Sequence, residues 1–178
     1  MDALKEITEE YFDRDYIYAE QSPKRELILQ KIEDFLAQNP DFPSTFIACF
    51  HQQYPNWKTS DWSQFYASDL HRCFRILVER EQSDERYVFL ISIFGFFAVY
   101  RMSLTKIGDR YVYGDLIFIN NGENEFCDNV YETCMPQKFP WLDSQTLNTV
   151  IEELSARNPY HSILITYAKL LFTFHYNI

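Results

Sequence analysis

The sequence predicts an α+β fold with N-terminal helices, an antiparallel sheet of about four to six strands, a C-terminal helix and a possible last strand. Two observations carry this prediction. Apolar residues at helical spacing occupy the first third of the 178-residue chain, whereas alternating or continuous apolar segments follow from residue 71 onward. The connections between those later segments are too short for parallel crossovers, which predicts an antiparallel meander over residues 71–132.

Three helices are predicted before the sheet. The first follows a Ser-Pro pair at 22–23, which is typical of a helix start, and keeps helical spacing until the Asn-Pro pair at 39–40. The second is predicted from about 43 to 54, and a short third helix is predicted after the Ser-Asp pair at 60–61. Residues 1–20 mix acidic and aromatic side chains, which indicates either a docking helix or an acidic arm.

Two segments predict the first strands of the sheet. Residues 71–79 alternate in the manner of a strand, and the polar segment after them indicates a hairpin loop. Residues 86–103 are rich in β-branched and aromatic side chains, which predicts one long buried strand with a bulge or close backbone approach at Gly95. Its uncharged part, 87–100, is shorter than the roughly 20 residues that a membrane-spanning helix needs.

The second half of the predicted meander follows a turn at 106–109. Residues 110–119 alternate and predict another strand. The Asn-Asn-Gly sequence at 120–122 is typical of a hairpin turn. Residues 124–132 are therefore predicted to pair back as a further strand.

The C-terminal region predicts one helix and leaves a second element open. The helix is expected to begin at Asp143 or Ser144, to end before the Asn-Pro pair at 158–159, and to pack through Leu147, Val150, Ile151 and Leu154. Residues 160–176 fit either a helix over 160–171 or a strand in their second half. No segment resembles a linker, so residues 1–178 are predicted to form a single domain. Helices on one face of the sheet would give two packed layers.

The negative charge of the chain is concentrated in two segments. The net charge is −10, with 26 acidic and 16 basic residues, and segments 1–20 and 108–134 each carry −5 while the rest balances. A negative field of this kind repels nucleic acid and anionic lipid and attracts basic partners. We therefore expect neither a nucleic acid nor a membrane as the partner.

The sequence contains no motif for catalysis, cofactor binding or metal binding. None of the four cysteines forms a Cys-x-x-Cys pair, and no histidine spacing matches a zinc site. His71 and Cys73 lie two positions apart on a predicted strand, roughly 7 Å apart, which is too far for direct proton transfer. Four scattered glycines cannot build a phosphate-binding loop. We predict that the protein is not an enzyme and uses no cofactor.

The environment of the cysteines indicates the compartment. Cys49 and Cys73 stand among apolar residues, which is typical of buried free thiols. The N-terminal residues lack a basic region followed by an apolar run. Both observations predict the reducing cytoplasm.

The candidate binding surface is the acidic segment 108–134. Tyrosines beside acidic residues are a common interface composition, because tyrosine offers a rigid ring and a hydroxyl group. The predicted partner-binding residues are Asp109, Tyr111, Tyr113, Asp115, Glu123, Glu125, Asp128 and Tyr131. We expect them to meet another protein with a basic surface.

In general character the chain resembles the immunity proteins of bacterial toxin delivery systems, because it is small, acidic, rich in aromatic residues and without motifs. The resemblance implies an inhibitor that covers the basic active-site cleft of a toxin, such as a nuclease, with its acidic hairpin. A first alternative is a secretion chaperone or adaptor that holds a client segment on a sheet edge. A second alternative is a small-molecule binder or enzyme with an aromatic pocket.

Overall fold

The structure is a computed structural model that describes residues 2–12, 22–66, 72–81, 83–107, 110–155 and 165–172. Seven helices and five strands are assigned in these ranges. Their order is α1 (Asp2–Tyr11), α2 (Arg25–Gln38), α3 (Phe42–Gln53), β1 (Trp57–Asp61), β2 (Cys73–Arg80), β3 (Arg86–Ser92), β4 (Phe97–Ile107), β5 (Arg110–Ile119), α4 (Glu125–Cys134), α5 (Ser144–Asn148), α6 (Glu152–Ser155) and α7 (Tyr167–Phe172).

The five strands form one antiparallel sheet in the order β1-β2-β3-β4-β5. The predicted α+β class, the antiparallel meander and the C-terminal helix are confirmed. Residues 1–20 contain α1, which is the helical alternative, and residues 13–20 lie outside the described ranges. Among the described helices, none is long and apolar enough to cross a membrane.

The first strand of the sheet replaces the predicted third helix. Residues Trp57 to Asp61 pair with β2, and the Asp61 carboxylate accepts a hydrogen bond from the Ser63 amide at 2.9 Å. This short Asx turn uses the side chain that would have capped a helix. The helix prediction was wrong for residues 62–66, which are not helical; the Trp62 amide instead donates to the Arg75 carbonyl of β2 at 2.7 Å. Residues 67–71 lie outside the described ranges.

The predicted long strand 86–103 is instead the hairpin of β3 and β4. The chain reverses at Gly95, whose φ is 78°, a conformation that favours glycine because it has no Cβ. The amide of Ser92 donates to the Phe96 carbonyl at 2.8 Å and closes the turn. The apolar run hid this turn because both of its strands are buried and no polar residues separate them.

The helices cover both faces of the sheet, so the prediction of two packed layers was wrong. On one face, alternate strand residues such as Phe89 pack with α2, α3 and α4. On the other face, the intervening residues such as Leu90 pack with α5, α7 and Leu4 of α1. The sheet is therefore the middle layer. This arrangement explains why β3 is apolar along its length rather than alternating.

Helix α4 occupies the segment that was predicted as a strand at 124–132, so this part of the meander prediction was wrong. The side chain of Asn124 accepts a hydrogen bond from the Cys127 amide at 3.0 Å and caps the helix. Cys127, Val130 and Cys134 are its buried residues. Their spacing follows the helical period, which outweighs the hairpin signal of the preceding Asn-Asn-Gly sequence.

The predicted C-terminal helix is interrupted. Asp143 caps α5, but the chain then leaves the helical conformation, and Val150 forms an antiparallel bridge with Thr166. The short helix α6 follows Val150, and residues 156–164 lie outside the described ranges. In the last segment the helical alternative is found as α7. Residues 160–164 and 173–176 lie outside the described ranges.

The carbonyl groups at the end of α7 are held by side chains of the sheet. Arg72 Nε donates to the Leu170 carbonyl at 2.8 Å, and the guanidinium Nη2 of Arg75 donates to the Phe172 carbonyl at 3.0 Å. The hydroxyl of Ser92 donates to the Leu171 carbonyl at 3.0 Å. These bonds pair three carbonyls of the last described turn of α7 with side chains. They fix α7 against β2 and the end of β3.

Candidate protein-binding surface

The predicted partner-binding residues fall into two groups. Tyr111, Tyr113 and Asp115 belong to the first half of β5, whereas the others that are described follow β5 in the turn and in α4. Asp109 lies outside the described residues. The ten residues of β5 span roughly 30 Å at about 3.3 Å per residue. The two ends of the acidic segment are therefore separated by the length of a strand.

The first group lies on a two-stranded ribbon, which comprises residues 102–107 of β4 and 110–116 of β5. The pairing of β4 with β3 ends at Arg101, whereas the pairing of β4 with β5 continues as far as Ile107, which lies opposite Arg110. The ribbon therefore extends beyond β3, with a register irregularity between Met102 and Leu104. Strand β5 is the last strand of the sheet.

The two strands of this hairpin carry no excess of negative charge. Residues 97–119 include three basic residues and two acidic ones, because β4 supplies Arg101 and Lys106. Residues 120–134 include four acidic residues and no basic one. The charge that was predicted for the whole segment 108–134 therefore belongs to its second part.

The second group forms the α4 acidic stripe, which we define as Glu123, Glu125, Asp128 and Glu132. The last three residues lie at positions i, i+3 and i+7 and therefore share one face of the helix. Asp128 is half-buried and the other three are exposed. The opposite face of α4 is buried in the core. The core contacts of the buried face therefore fix the position of the helix that carries the stripe.

Two carboxylates of the stripe also stabilise its local structure. Glu123 accepts hydrogen bonds from the Asn120 amide at 3.0 Å and from its Nδ2 at 2.7 Å, and these bonds lower the pKa of Glu123. Asp128 accepts a hydrogen bond from the Gly122 amide at 2.9 Å. Acidic residues in a first helical turn also interact favourably with the helix dipole. These charges are held in position before any partner arrives.

The far end of the stripe is partly neutralised. Lys138 Nζ lies 2.9 Å from a carboxylate oxygen of Glu132 and donates to the carbonyls of Tyr131 and Glu132 at 2.9 and 2.8 Å. A cation at this end also suits the helix dipole. The negative charge of the stripe is therefore greatest at the start of α4.

Tyr131 supports the core rather than extending from the surface. Its ring centre lies 4.8 Å from that of Phe97 and 5.2 Å from that of Trp141. Its hydroxyl donates to the Phe139 carbonyl at 2.5 Å. Burial raises its pKa, with the nearby Glu132 as a second cause. Its position one residue after Val130 on the inward side of α4 explains this role.

One residue of the stripe was missed from the sequence. Glu132 was counted in the charge of the segment but was not predicted as a binding residue. Its spacing of seven from Glu125 is the signal that a helical interpretation would have used. In a strand, Glu125 and Glu132 would not lie on the same face, because residues seven positions apart point to opposite sides.

The cysteine and aromatic side chains that were considered for chemistry or ligand binding contribute to the packing of the core. Cys73 is fully buried, burial raises its pKa, and its thiol donates to the Phe172 carbonyl at 3.3 Å. Aromatic side chains of the core pack against each other, as in the stacked pair Trp57 and Phe126 at 4.4 Å. Within the part of the chain that the structure describes, no three His, Cys, Asp or Glu side chains form a metal-binding group.

Comparison with known proteins does not extend this description. We found no match for the chain among known protein families, curated proteins or solved structures. The functional proposal therefore rests on the residues of this chain alone.

Proposed function

We propose that this protein is a non-enzymatic binding protein of the immunity type, which inhibits a toxin by placing the α4 acidic stripe over a basic active-site surface. The carrying observation is the row of three carboxylates, Glu125, Asp128 and Glu132, on the outer face of a helix that is packed against the core on the other, with Glu123 in the turn just before it. A nuclease fits this description as the toxin, because its cleft binds a negatively charged chain.

The stripe has the charge pattern that such a cleft recognises. Side chains three or four residues apart on a helix lie roughly 5–6 Å from each other. A row of negative charges has the sign of a nucleic-acid backbone. Because Glu123 and Asp128 are already held by backbone amides, little conformational entropy is lost when they meet a partner.

The proposal is tested by reversing the charge of the stripe. The protein is used as bait in cells that carry its gene, and the captured partner is then produced in pure form. We expect the double variant Glu125→Lys, Glu132→Lys to lower the association rate about tenfold or more at low salt, because steering by complementary charge contributes on this scale. Stopped-flow or surface plasmon resonance measurements at two salt concentrations check this expectation.

The matched control is Glu26→Lys, Glu33→Lys on α2. Both residues are exposed, and the double substitution changes the net charge by the same amount. We expect the control to change the association rate by less than about threefold, since only the overall charge differs. Equal rates for the wild type and the stripe variant, without dependence on salt, would show that the stripe is not the binding surface.

A second candidate function is suggested by β5, which is the last strand of the sheet within the described residues. An adaptor or secretion chaperone could hold an extended client segment as a sixth strand next to β5. Ile117, which is 51% exposed on this strand, favours such a contact because edge strands are usually protected by charge. Under this alternative Ile117→Lys would abolish capture of the partner, and the stripe variant would leave it unchanged.

A further inference from the structure

Two cysteines from different helices meet where α3 packs on α4. The thiol of Cys49 donates to the Thr133 carbonyl at 3.3 Å, and this carbonyl belongs to the peptide group that joins Thr133 to Cys134. Nε2 of Gln53 lies 3.8 Å from the sulfur of Cys49 and 3.8 Å from the sulfur of Cys134. One amide nitrogen therefore contacts both sulfur atoms.

The two thiols differ in their access to solvent. Cys49 is half-buried at the surface of α3, whereas Cys134 is only 3% exposed. The sequence had predicted that Cys49 is buried, and its partial exposure makes it the cysteine that a reagent reaches first. Cys73 and Cys127 are buried inside the two core clusters. The pair thus has the arrangement of one attacking thiol and one shielded thiol behind it.

We propose that Cys49 and Cys134 form a redox-active dithiol, which a small-molecule disulfide such as glutathione disulfide converts into a bond between α3 and α4. The thiolate of Cys49 attacks one sulfur of the reagent and releases one small thiol, which leaves a mixed disulfide on Cys49. The sulfur of Cys134 then loses its proton, attacks the Cys49 sulfur and releases the second small thiol. Two protein thiols are oxidised, and one small disulfide is reduced to two thiols.

The surroundings of Cys134 make the second step the slower one. Burial raises the pKa of Cys134 to about 11, and contact with the Cys49 thiol raises it too, while the Thr133 hydroxyl opposes the shift. Cys134 is therefore protonated at neutral pH. Bond formation also requires the two sulfurs to approach to roughly 2.05 Å, which displaces the Gln53 amide group next to them.

The test is oxidation of the purified full chain in glutathione buffers of increasing oxidising strength. Mass spectrometry of the denatured, alkylated protein measures how many thiols have reacted, and peptide mapping identifies the linked pair. We expect loss of two free thiols and a single linked pair, Cys49 with Cys134. The crosslink closes a long loop, so we also expect the midpoint of thermal unfolding to rise by several degrees, on the order of 5–10 °C.

Single variants separate the two steps. We expect Cys134→Ser to stop at one glutathione on Cys49, and Cys49→Ser to remain unreacted under the same conditions. Cys73→Ala is the matched control, because it removes a buried cysteine elsewhere and should leave the linked pair unchanged. A wild-type protein that retains a glutathione on Cys49, does not react, or links another pair would overturn the proposal.

Discussion

The ribbon of β4 and β5 and the α4 acidic stripe are neighbours along the chain but differ in charge and in support. The ribbon extends beyond β3, and its hairpin carries three basic and two acidic residues. The stripe carries four acidic residues, three on α4 and one in the turn before it, and α4 is packed against α3 and the sheet. Charge that is continuous in sequence is thus divided between two surfaces when the chain folds. We therefore expect the proposed interface on α4, which holds the excess negative charge and is packed against the core, rather than on the ribbon.

The largest expected effect is on the free energy of unfolding, and it tests how firmly the start of β4 is packed against α4. Phe97 is fully buried at the start of β4 and contacts Tyr131 of α4 and Trp141. We expect Phe97→Ala to lower the free energy of unfolding by about 3–5 kcal/mol, because it leaves a cavity in the core. Urea denaturation followed by tryptophan fluorescence measures this change.

The control is an exposed side chain of the same hairpin. Ile117→Ala on β5 should cost less than about 1 kcal/mol, since Ile117 is half exposed and loses little buried area. Similar losses for the two variants would contradict the expectation that the buried side chains of the hairpin, rather than its exposed ones, support the fold.

The second prediction tests the difference in charge. Reversal of Asp109 and Asp115 in the hairpin changes the net charge as much as reversal of Glu125 and Glu132 in the stripe. We expect the hairpin variant to lower the association rate with a basic partner by less than about threefold, against about tenfold for the stripe. The same binding assay measures both, and a larger effect of the hairpin variant would move the proposed interface to the ribbon.

The third prediction concerns how the stripe is presented. Asn124 caps α4 by accepting a hydrogen bond from the Cys127 amide. We expect Asn124→Ala to lower the free energy of unfolding by about 1 kcal/mol, which is the usual effect of removing a cap. Thermal unfolding measures this loss, and Asn124→Asp, which can still cap the helix, should retain most of the stability.

The smallest expected effect is a change in the dependence of stability on pH. Hydrogen bonds from Asn120 lower the pKa of Glu123 below its ordinary value of 4.5. The stability that this carboxylate contributes is therefore present above pH 4.5 and is lost as the pH falls through its lower folded pKa. We expect Glu123→Gln to weaken this acid dependence in urea titrations between pH 5 and 3, roughly the range of carboxylate titration.

Asn120→Ala provides an independent check on the same interaction. It removes the Nδ2 donor, which lies 2.7 Å from the Glu123 carboxylate, and keeps the charge. It should weaken the acid dependence in the same direction. If both variants keep the wild-type pH profile, the interaction does not contribute to stability.

The sequence predicted the features of the fold that depend on local patterns. Alternation in 71–79 and 110–119 and the short loops between strands were sufficient for the antiparallel meander. The hairpin at Gly95 was hidden because its flanking strands are buried on both faces and no polar residues mark the turn. Burial on both faces depends on how distant helices pack, which periodicity alone does not show.

The composition of the candidate binding surface can be read from the sequence, whereas its geometry cannot. The acidic residues of 108–134 are visible in the sequence. The hairpin signal of Asn121 and Gly122, however, predicted a strand where Asn124 starts a helix. The helix brings Glu125, Asp128 and Glu132 to one face and turns Tyr131 inward. The meeting of Cys49 with Cys134 depends on the packing of α3 on α4 and leaves no signal in the sequence.

The bonds at the end of α7 have a consequence for the order in which the protein is made. Arg72, Arg75 and Ser92 are synthesised long before the carbonyls of 170–172 that they bind. Until those residues leave the ribosome, one face of the nascent sheet lacks the cover that α7 provides. An incomplete sheet of this kind exposes apolar surface during synthesis. The sheet can begin to pair early, but its second face is closed only by a segment that is synthesised 79 to 98 residues after the side chains that bind it.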